Sequence, residues 1–408
     1  MRSEKHGFVH LLVGSIHCPN PREWGLMDAL RDHTFQGHLE IHPLMSSANT
    51  KPVKFGYIGC GYIAQHVHLP NFKVLPNCQF EAIAEVRTEL GQRIAKRYDI
   101  PKVYKDHLEM ANDPNIEAVG VSGPYALQGR IAEDLLRAGK HVFMEKPMAV
   151  SVPRAEAILK ASKEGKGRLM VGYMKRFDPG NRLLKQHCDA WRASGNNGRV
   201  LLARNHGFGG NWVYAQDQNT AFESSKDVPP PAPDECPSWL PEKWKHGYLN
   251  YLQQWTHNIN LLRWFLGDTD GAAKVSTVQL DGDGMTGLVV LDINCARAVV
   301  ESGYTKFHAW EEHTQIYFEG GWLRTEAPTL LQKESPASVE IYQSGSKDGQ
   351  TPPSKTTQYA NPWWSYREEA KHFLERVRSG EPFEASGEDT ITDVRLYEAI
   401  YKQFLGIK

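Results

Sequence analysis

The chain has 408 residues, and its 47 basic and 48 acidic side chains leave a formal net charge of −1 at neutral pH. This balance gives no electrostatic attraction to nucleic acid or to an anionic membrane surface, so we expect a small-molecule partner. No apolar run reaches the roughly 18 residues of a membrane span, and the six cysteines lack any CxxC pair, which favours free thiols in a cytoplasmic globular protein.

The N-terminal segment differs from the rest of the chain. It has no sustained apolar period and is rich in His, Pro and Ser up to the stretch MSSANTKP. Neither a helical nor a strand period can be assigned to it. We therefore expect residues 1–50 to form an irregular extension ahead of the first domain.

A regular alternation of strands and helices follows between Val53 and Met174. Apolar runs such as VKFGYI, FEAIAEV, IEAVGVS, HVFME and RLMVGY alternate with amphipathic stretches such as TELGQRIAKRY. This order is typical of a parallel sheet that helices cover on both faces. We predict an α/β class and a doubly wound Rossmann domain over residues 51–174.

After Met174 the pattern changes to alternation with a period of two, as in RVLLARNHGF and HTQIYFEGGWLRTE. Such stretches are typical of antiparallel strands. Two segments rich in Pro, Gly and Ser, residues 227–244 and 344–357, are expected to be irregular surface loops. With two amphipathic helices at the end, the pattern predicts an α+β substrate-binding and oligomerisation domain over residues 175–408, built on a large, mostly antiparallel sheet.

A glycine-rich turn lies between the first strand and the first helix. Its sequence, GCGYIA, has the spacing G-x-G-x-x-A and contains Gly59, Gly61, Tyr62 and Ile63. A helix N-terminus attracts anions through its free N–H groups and its dipole, and glycines allow a pyrophosphate to approach the backbone. We therefore predict a dinucleotide-binding turn.

The second predicted strand ends at Glu85. A carboxylate at this place can accept hydrogen bonds from the adenosine ribose and repel a 2′-phosphate, which favours NAD. Arg87 has the opposite effect, since a guanidinium can bind that phosphate. NAD is thus the predicted cofactor, and NADP is the alternative.

Several of these stretches together resemble one family, the glucose-fructose oxidoreductase / inositol dehydrogenase / rhizopine catabolism family of nicotinamide-dependent oxidoreductases. They are IGCGYIA, AVGVSGP, MEKP, GYMKRFDP and QQWTHNINLLRWFLGD, and the resemblance spans about residues 53–408. It implies hydride transfer between a nicotinamide and a ring carbon of a sugar or cyclitol.

The resemblance assigns a central role to Lys146 of the Glu-Lys-Pro motif. In the family this lysine lies beside the nicotinamide and the reacting carbon, and the peptide before the proline is commonly cis. The residue type also suits the position, because a lysine at the carboxyl end of a parallel strand faces the ligand crevice and can polarise a carbonyl. Glu145 either orients Lys146 or has a structural role, and Pro124 matches a position beneath the nicotinamide.

The family's proton-transfer pair, an Asp and a His one helical turn later, matches Gln253 and His257. A glutamine can orient a histidine but cannot exchange a proton near neutral pH. The resemblance therefore predicts that His257 transfers the proton alone, with a single ionisation at about pH 6 to 7.5. Lys146 and Tyr173 are the alternatives for this role.

Two further residues are expected at the substrate. In the family the segment that contains Arg176 lines the active site, although an interdomain salt bridge would also explain this arginine. Trp212 belongs to a group of aromatic residues around the predicted His257 helix, and their flat faces suit a sugar ring or a packed core equally well. No metal site is predicted, because His66 and His68 have no Cys or carboxylate at ligand spacing.

Three functions remain open from the sequence. The first is an NAD-dependent dehydrogenase or reductase for a sugar, cyclitol or glycoside. The second is a glycosidase that uses bound NAD for transient oxidation, and the third is a non-catalytic nucleotide-binding sensor. The resemblance also leads us to expect a homodimer or homotetramer formed through the open face of the C-terminal sheet.

Overall fold

A computed structural model describes residues 51–213, 221–306 and 310–408, all within one compact unit that begins at Thr50. The predicted irregular extension over residues 1–50 lies outside the described residues. Within them no helix is both long enough and apolar enough to cross a bilayer.

The first sheet has six parallel strands in the order β3-β2-β1-β4-β5-β6. Its strand order reverses between β1 and β4, which opens a ligand crevice at the carboxyl ends of these strands. The doubly wound sheet predicted from the sequence is therefore confirmed. The strands are β1 (Val53–Ile58), β2 (Cys78–Ala84), β3 (Lys102–Tyr104), β4 (Ala118–Val121), β5 (His141–Glu145) and β6 (Leu169–Gly172).

Helices connect these strands and cover the sheet. A short π-helical turn over Ala64–His68 follows the glycine-rich turn and continues directly into the first α-helix. The α-helices of this half are α1 (Leu69–Val74), α2 (Thr88–Tyr98), α3 (His107–Asn112), α4 (Tyr125–Arg137) and α5 (Val152–Gly165).

The second sheet has eight strands in the order β14-β13-β12-β11-β7-β10-β9-β8. Only the pair β7 and β10 is parallel, so the predicted mostly antiparallel sheet is also confirmed. The strands are β7 (Val200–Gly209), β8 (Lys274–Leu280), β9 (Gly287–Ile293), β10 (Ala296–Tyr304), β11 (Glu311–Phe318), β12 (Gly321–Glu326), β13 (Ser338–Gln343) and β14 (Ser354–Gln358).

Strand β14 corrects the expectation that residues 344–357 are irregular throughout. It pairs with β13 through its backbone at the edge of the sheet, and its side chains are almost all exposed. An edge strand with polar side chains on both faces has no apolar alternation to reveal it.

Four longer helices complete the structure: α6 (Pro179–Ser194), α7 (Lys245–Leu266), α8 (Ser365–Ser379) and α9 (Gly387–Phe404). The last two return to the first sheet. Phe373 of α8 lies in one buried cluster with Phe55, Phe72 and Phe143, and Ile391 of α9 lies in another with Val171. Helix α8 therefore brings side chains from the C-terminal end of the chain to the parallel sheet.

A buried arginine joins helices α7 and α9. Arg263 is 1% exposed, and its guanidinium donates to Asp268 at 2.6 Å, to Asp393 at 2.8 Å and to Asp389 at 2.8 Å. Removing one member of a buried ionic cluster leaves the others charged and unpaired, which is more costly than the loss of a surface pair.

We predict that Arg263→Met lowers the free energy of unfolding by about 3 to 5 kcal/mol, because the buried carboxylates of Asp268 and Asp393 lose their counter-charge. Arg297→Met is the matched control, since Arg297 and Asp292 are both more than half exposed and such a pair contributes at most about 1 kcal/mol. Urea denaturation compares both variants with the parent. Equal losses in the two variants would contradict this account.

Candidate active site

The glycine-rich turn fits a nucleotide at the end of β1. Gly59 has a φ of 90°, and a Cβ at this residue would overlap the Ser122 carbonyl oxygen, so the position requires glycine. A Cβ on Gly61 or Gly123 would have no atom within 4 Å. The backbone of both glycines therefore faces open space, as the close approach of a pyrophosphate requires.

Glu85 directly follows β2 and bonds to the backbone of the glycine-rich turn. One of its carboxylate oxygens accepts from the Cys60 amide at 2.7 Å, and Arg87 donates to both oxygens at 2.8 and 2.9 Å. Burial favours a raised pKa for Glu85, but the hydrogen bonds from Arg87 and Cys60 hold the pKa below its ordinary value. The carboxylate predicted to bind the ribose thus forms an ion pair with Arg87, which weakens the expected repulsion of a 2′-phosphate.

Lys146 lies directly after β5, at the edge of the crevice. Its ammonium donates to the backbone carbonyl of Gln253 in α7 at 2.8 Å, and the peptide before Pro147 is cis, as the resemblance implies. The buried amide of Gln128 donates to the carbonyls of Glu145 and Pro147, both at 2.9 Å. Gln128 therefore fixes the backbone on both sides of Lys146.

The surroundings of Lys146 make its ammonium unusually acidic. Burial lowers the pKa of Lys146 to about 8, the positive charge of Lys175 acts in the same direction, and only Glu145 opposes them. An amine with a pKa near neutrality can both donate and accept a proton under ordinary conditions.

His257 is buried in α7, beside Lys146 and Lys175. Burial, then the charges of these two lysines, lower the pKa of His257 well below its ordinary value, so its ring is neutral near pH 7. Its Nδ1 has no hydrogen-bond partner among the described residues. Gln253, one turn earlier, contributes its carbonyl to Lys146, and within the described ranges no hydrogen bond joins its side chain to His257.

The structure places Tyr173 differently from the proton-transfer role considered for it. Its buried hydroxyl bonds to Thr256 at 2.9 Å and to Tyr397 at 3.3 Å. Burial, with the charge of Asp393 second, raises its pKa well above the ordinary value. Only the ring faces His257, edge-on, with 5.9 Å between the ring centroids.

The guanidinium of Arg176 bonds to partners other than Lys146 and His257. It donates to Asn260 at 2.6 Å, to the Glu384 carbonyl at 2.8 Å and to Asp389 at 2.6 Å. Arg176 therefore forms a salt bridge with Asp389, but both residues lie within the predicted second domain, so this is not the interdomain bridge considered as the alternative. A role in contacting substrate does not fit this buried position.

The neighbouring Lys175 is the basic residue of this segment that lies near the site. It forms a buried ion pair with Glu312 of β11 and influences the titration of both Lys146 and His257. The sequence analysis missed it. The motif GYMKRFDP contains both residues, but only the geometry of the 3₁₀ turn over Met174–Phe177 decides which of them faces Lys146.

Trp212, Tyr62 and Ile63 pack together at the cofactor turn. The rings of Trp212 and Tyr62 meet edge-on with 5.6 Å between their centroids. Trp212, which the sequence analysis considered for a sugar ring or a packed core, thus packs against a residue of the predicted cofactor turn. Pro124 immediately precedes α4, next to the open backbone of Gly123.

Comparison with known proteins agrees with this geometry. Residues 53–173 match a family described as "Oxidoreductase family, NAD-binding Rossmann fold". Myo-inositol 2-dehydrogenase of Thermotoga maritima is 24% identical over 350 residues, which cover 83% of this chain and 92% of that protein. Inositol 2-dehydrogenase of Rhizobium meliloti is 24% identical over 359 residues, which cover 85% of this chain and 95% of the relative.

Solved structures share the fold. KijD10, a 3-ketoreductase from Actinomadura kijaniata solved in complex with NADP, has a TM-score of 0.63 at 21% identity and covers 86% of this chain and 98% of its own. The apo scyllo-inositol dehydrogenase of Lactobacillus casei has a TM-score of 0.61 at 18% identity, covering 88% of this chain and 97% of its own. Residues 53–173 thus match an oxidoreductase family with an NAD-binding Rossmann fold, and these solved structures share the fold of the described chain.

Proposed function

We propose that this protein is an NAD-dependent dehydrogenase or reductase that interconverts a ring hydroxyl and a ketone on a cyclitol or sugar. The observation that carries the proposal is the position of the Lys146 ammonium, which lies at the carboxyl end of β5, bonds to the Gln253 carbonyl at 2.8 Å and has His257 beside it. The names of two relatives, a myo-inositol 2-dehydrogenase and a dTDP-3,4-didehydro-2,6-dideoxy-alpha-D-glucose 3-reductase, support the substrate class.

In this proposal one residue of the site transfers the proton and another orients the substrate hydroxyl. When bound, the nicotinamide accepts a hydride from the substrate carbon, or supplies one in the reverse direction. In the oxidation, neutral Lys146 takes the hydroxyl proton as the carbonyl forms, and its partly exposed position allows this proton to return to solvent. Neutral His257 accepts a hydrogen bond from the hydroxyl and orients it.

This assignment differs from the sequence-based one, in which His257 carries the proton. A base is most effective when its pKa lies near the working pH. Burial takes His257 far below that range and brings Lys146 to about 8, so we assign the proton to Lys146.

The pH dependence of kcat/KM for oxidation tests this assignment. We predict a rise with pH through one ionisation near 8, where Lys146 becomes neutral. Lys146→Ala is expected to remove this limb and to lower kcat/KM by on the order of 10² to 10⁴. His257→Ala is expected to lower the rate but to keep the limb.

A screen of inositols and pyranoses, followed by absorbance of the reduced nicotinamide, supplies the substrate for this measurement. A rise in kcat/KM between pH 6 and 7.5 that disappears in His257→Ala would instead assign the proton transfer to His257. Product formation without net release of reduced cofactor would favour the transient-oxidation glycosidase instead.

For the cofactor we propose NAD. Glu85 lies at the end of β2, where the ribose hydroxyls of a nucleotide are recognised, although Arg87 neutralises it. In Glu85→Ala the guanidinium of Arg87 becomes available for a 2′-phosphate. We predict that the parent binds NAD more tightly than NADP. In Glu85→Ala the ratio of the NADP to the NAD dissociation constant should fall about tenfold, equivalent to about 1.4 kcal/mol.

Calorimetric dissociation constants for both nucleotides measure this gap. Glu89→Ala, a change at an exposed carboxylate at the start of α2, is the matched control and should leave the ratio of the two dissociation constants unchanged. A parent that binds NADP as tightly as NAD would contradict the cofactor assignment.

We also propose a homo-oligomer formed through the open face of the second sheet. Tyr317, Trp322 and Tyr342 form a partly exposed aromatic row across β11, β12 and β13, and Trp322 stacks on Tyr342 with 5.7 Å between the centroids. Aromatic residues are enriched in the centres of protein interfaces.

We predict that Trp322→Asp dissociates this oligomer, because a carboxylate in the buried centre of an interface loses its hydration without gaining a partner. Light scattering after gel filtration measures the mass. Lys347→Asp, an exposed change in the loop before β14, is the control. A parent protein that is monomeric at micromolar concentration would contradict the proposal.

A further inference from the structure

Three buried side chains from distant parts of the chain meet behind Lys146. His68 donates from Nε2 to Glu145 at 2.7 Å, and Glu369 of α8 brings its carboxyl group next to both. One ligand-type atom from each of the three residues lies within 4.8 Å of the other two. The sequence analysis expected no carboxylate near His68. The structure brings two there, because β5 and α8 converge on the start of α1.

The negative charge in this cluster has very little compensation. Glu145 accepts hydrogen bonds from His68 and from the Lys146 amide at 3.2 Å. Both oxygens of the fully buried Glu369 lack a partner in the part of the chain that the structure describes. Two carboxylates this close, without an arginine or lysine bonded to either in the described residues, cannot both ionise at moderate cost.

A proton suits the cluster better than a metal ion. His68 Nε2 and Glu145 Oε1 are 2.7 Å apart, which is the separation of a hydrogen bond with a proton between the two atoms. Burial, then the charge of Glu145, raises the pKa of Glu369 well above its ordinary value. The lowest-cost arrangement of the pair is therefore one in which Glu369 is neutral.

We propose that Glu369 is a positioning residue that shares a single negative charge with Glu145 behind Lys146 and carries this charge when Glu145 cannot. Glu369 is then a second group that can carry the negative charge that favours the charged form of Lys146. The inference rests on the proposed function only in that Lys146 is taken to contact the substrate.

Several other titratable groups face this region and enter the same electrostatic balance. Tyr57 of β1, Tyr125 of α4 and Tyr366 of α8 interact with Glu145, and burial raises the pKa of each of them. On the other side of Lys146 lie Lys175 and His257. Of all these groups, Glu145 alone favours the charged form of Lys146, so its charge raises the pH at which the buried lysine becomes neutral.

Four proteins test the sharing of charge: the parent, Glu145→Gln, Glu369→Gln and the double variant. The readout is the pH dependence of Lys146 acylation, measured by mass spectrometry without substrate, and the pH limb of kcat/KM where activity is found. Removing a negative charge lowers the pKa of a nearby lysine. Glu369→Gln alone is therefore expected to leave the Lys146 midpoint unchanged, since Glu369 is neutral in the parent.

The double variant gives the decisive comparison. Glu145→Gln is expected to lower the Lys146 midpoint only in part, because Glu369 ionises once its charged neighbour is gone. The double variant loses both carboxylates, and we expect its midpoint to fall by a further half a pH unit or more, roughly. Glu368→Gln, a change on the same helix at a more exposed residue, is the control and should move neither midpoint.

A second readout does not depend on Lys146. The carbonyl stretch of a protonated carboxylic acid should appear in the infrared spectrum of the parent and be absent from Glu369→Gln. Equal midpoints in the Glu145→Gln and double variants, or a stoichiometric divalent cation found by elemental analysis of the parent, would overturn the proposal. Failure of the proposed function is separate, since it would appear as an active Lys146→Ala enzyme with the acylation results unchanged.

Discussion

The hydrogen bond from the Lys146 ammonium to the Gln253 carbonyl is the contact on which the site depends. It joins the carboxyl end of β5 to helix α7 over 2.8 Å and across 107 residues of sequence. Because of this bond, the ammonium lies where ligands of a doubly wound sheet bind, close enough to His257 for the two groups to influence each other electrostatically. Gln128 strengthens the arrangement from the sheet side, since it fixes the backbone around Lys146.

The electrostatic surroundings differ among the three basic groups near this site. Lys175 is neutralised by Glu312 in a buried ion pair, His257 is neutral through burial, and Lys146 has the negative charge of Glu145 behind it. Only Lys146 titrates near neutrality. A glutamine at position 253, in place of the carboxylate that the resemblance implies, is therefore compatible with the proposed function, because a lysine with a lowered pKa can exchange the proton.

Sequence reasoning predicted the first half of the structure well and parts of the site poorly, for physical reasons. The parallel sheet and the cofactor turn leave local signals, namely apolar runs and glycine spacing, that a single stretch of chain contains. The roles of Tyr173, Arg176 and Lys175 depend on partners such as Thr256, Asp389 and Glu312, which only the folded chain brings close. No sequence pattern indicated that Glu369 is buried, because a glutamate in an amphipathic helix normally faces solvent.

The most direct test of the account is the fate of the hydrogen on the reacting carbon. A cyclitol or sugar found in the screen is deuterated at that carbon, incubated with NAD and the enzyme, and the nicotinamide is examined by mass spectrometry and NMR. The account predicts that one deuterium appears on the nicotinamide ring with the parent. It predicts loss of this transfer in Lys146→Ala, with NAD affinity nearly unchanged. Deuterium that is lost to solvent, or transfer that continues at the parent rate in Lys146→Ala, would contradict it.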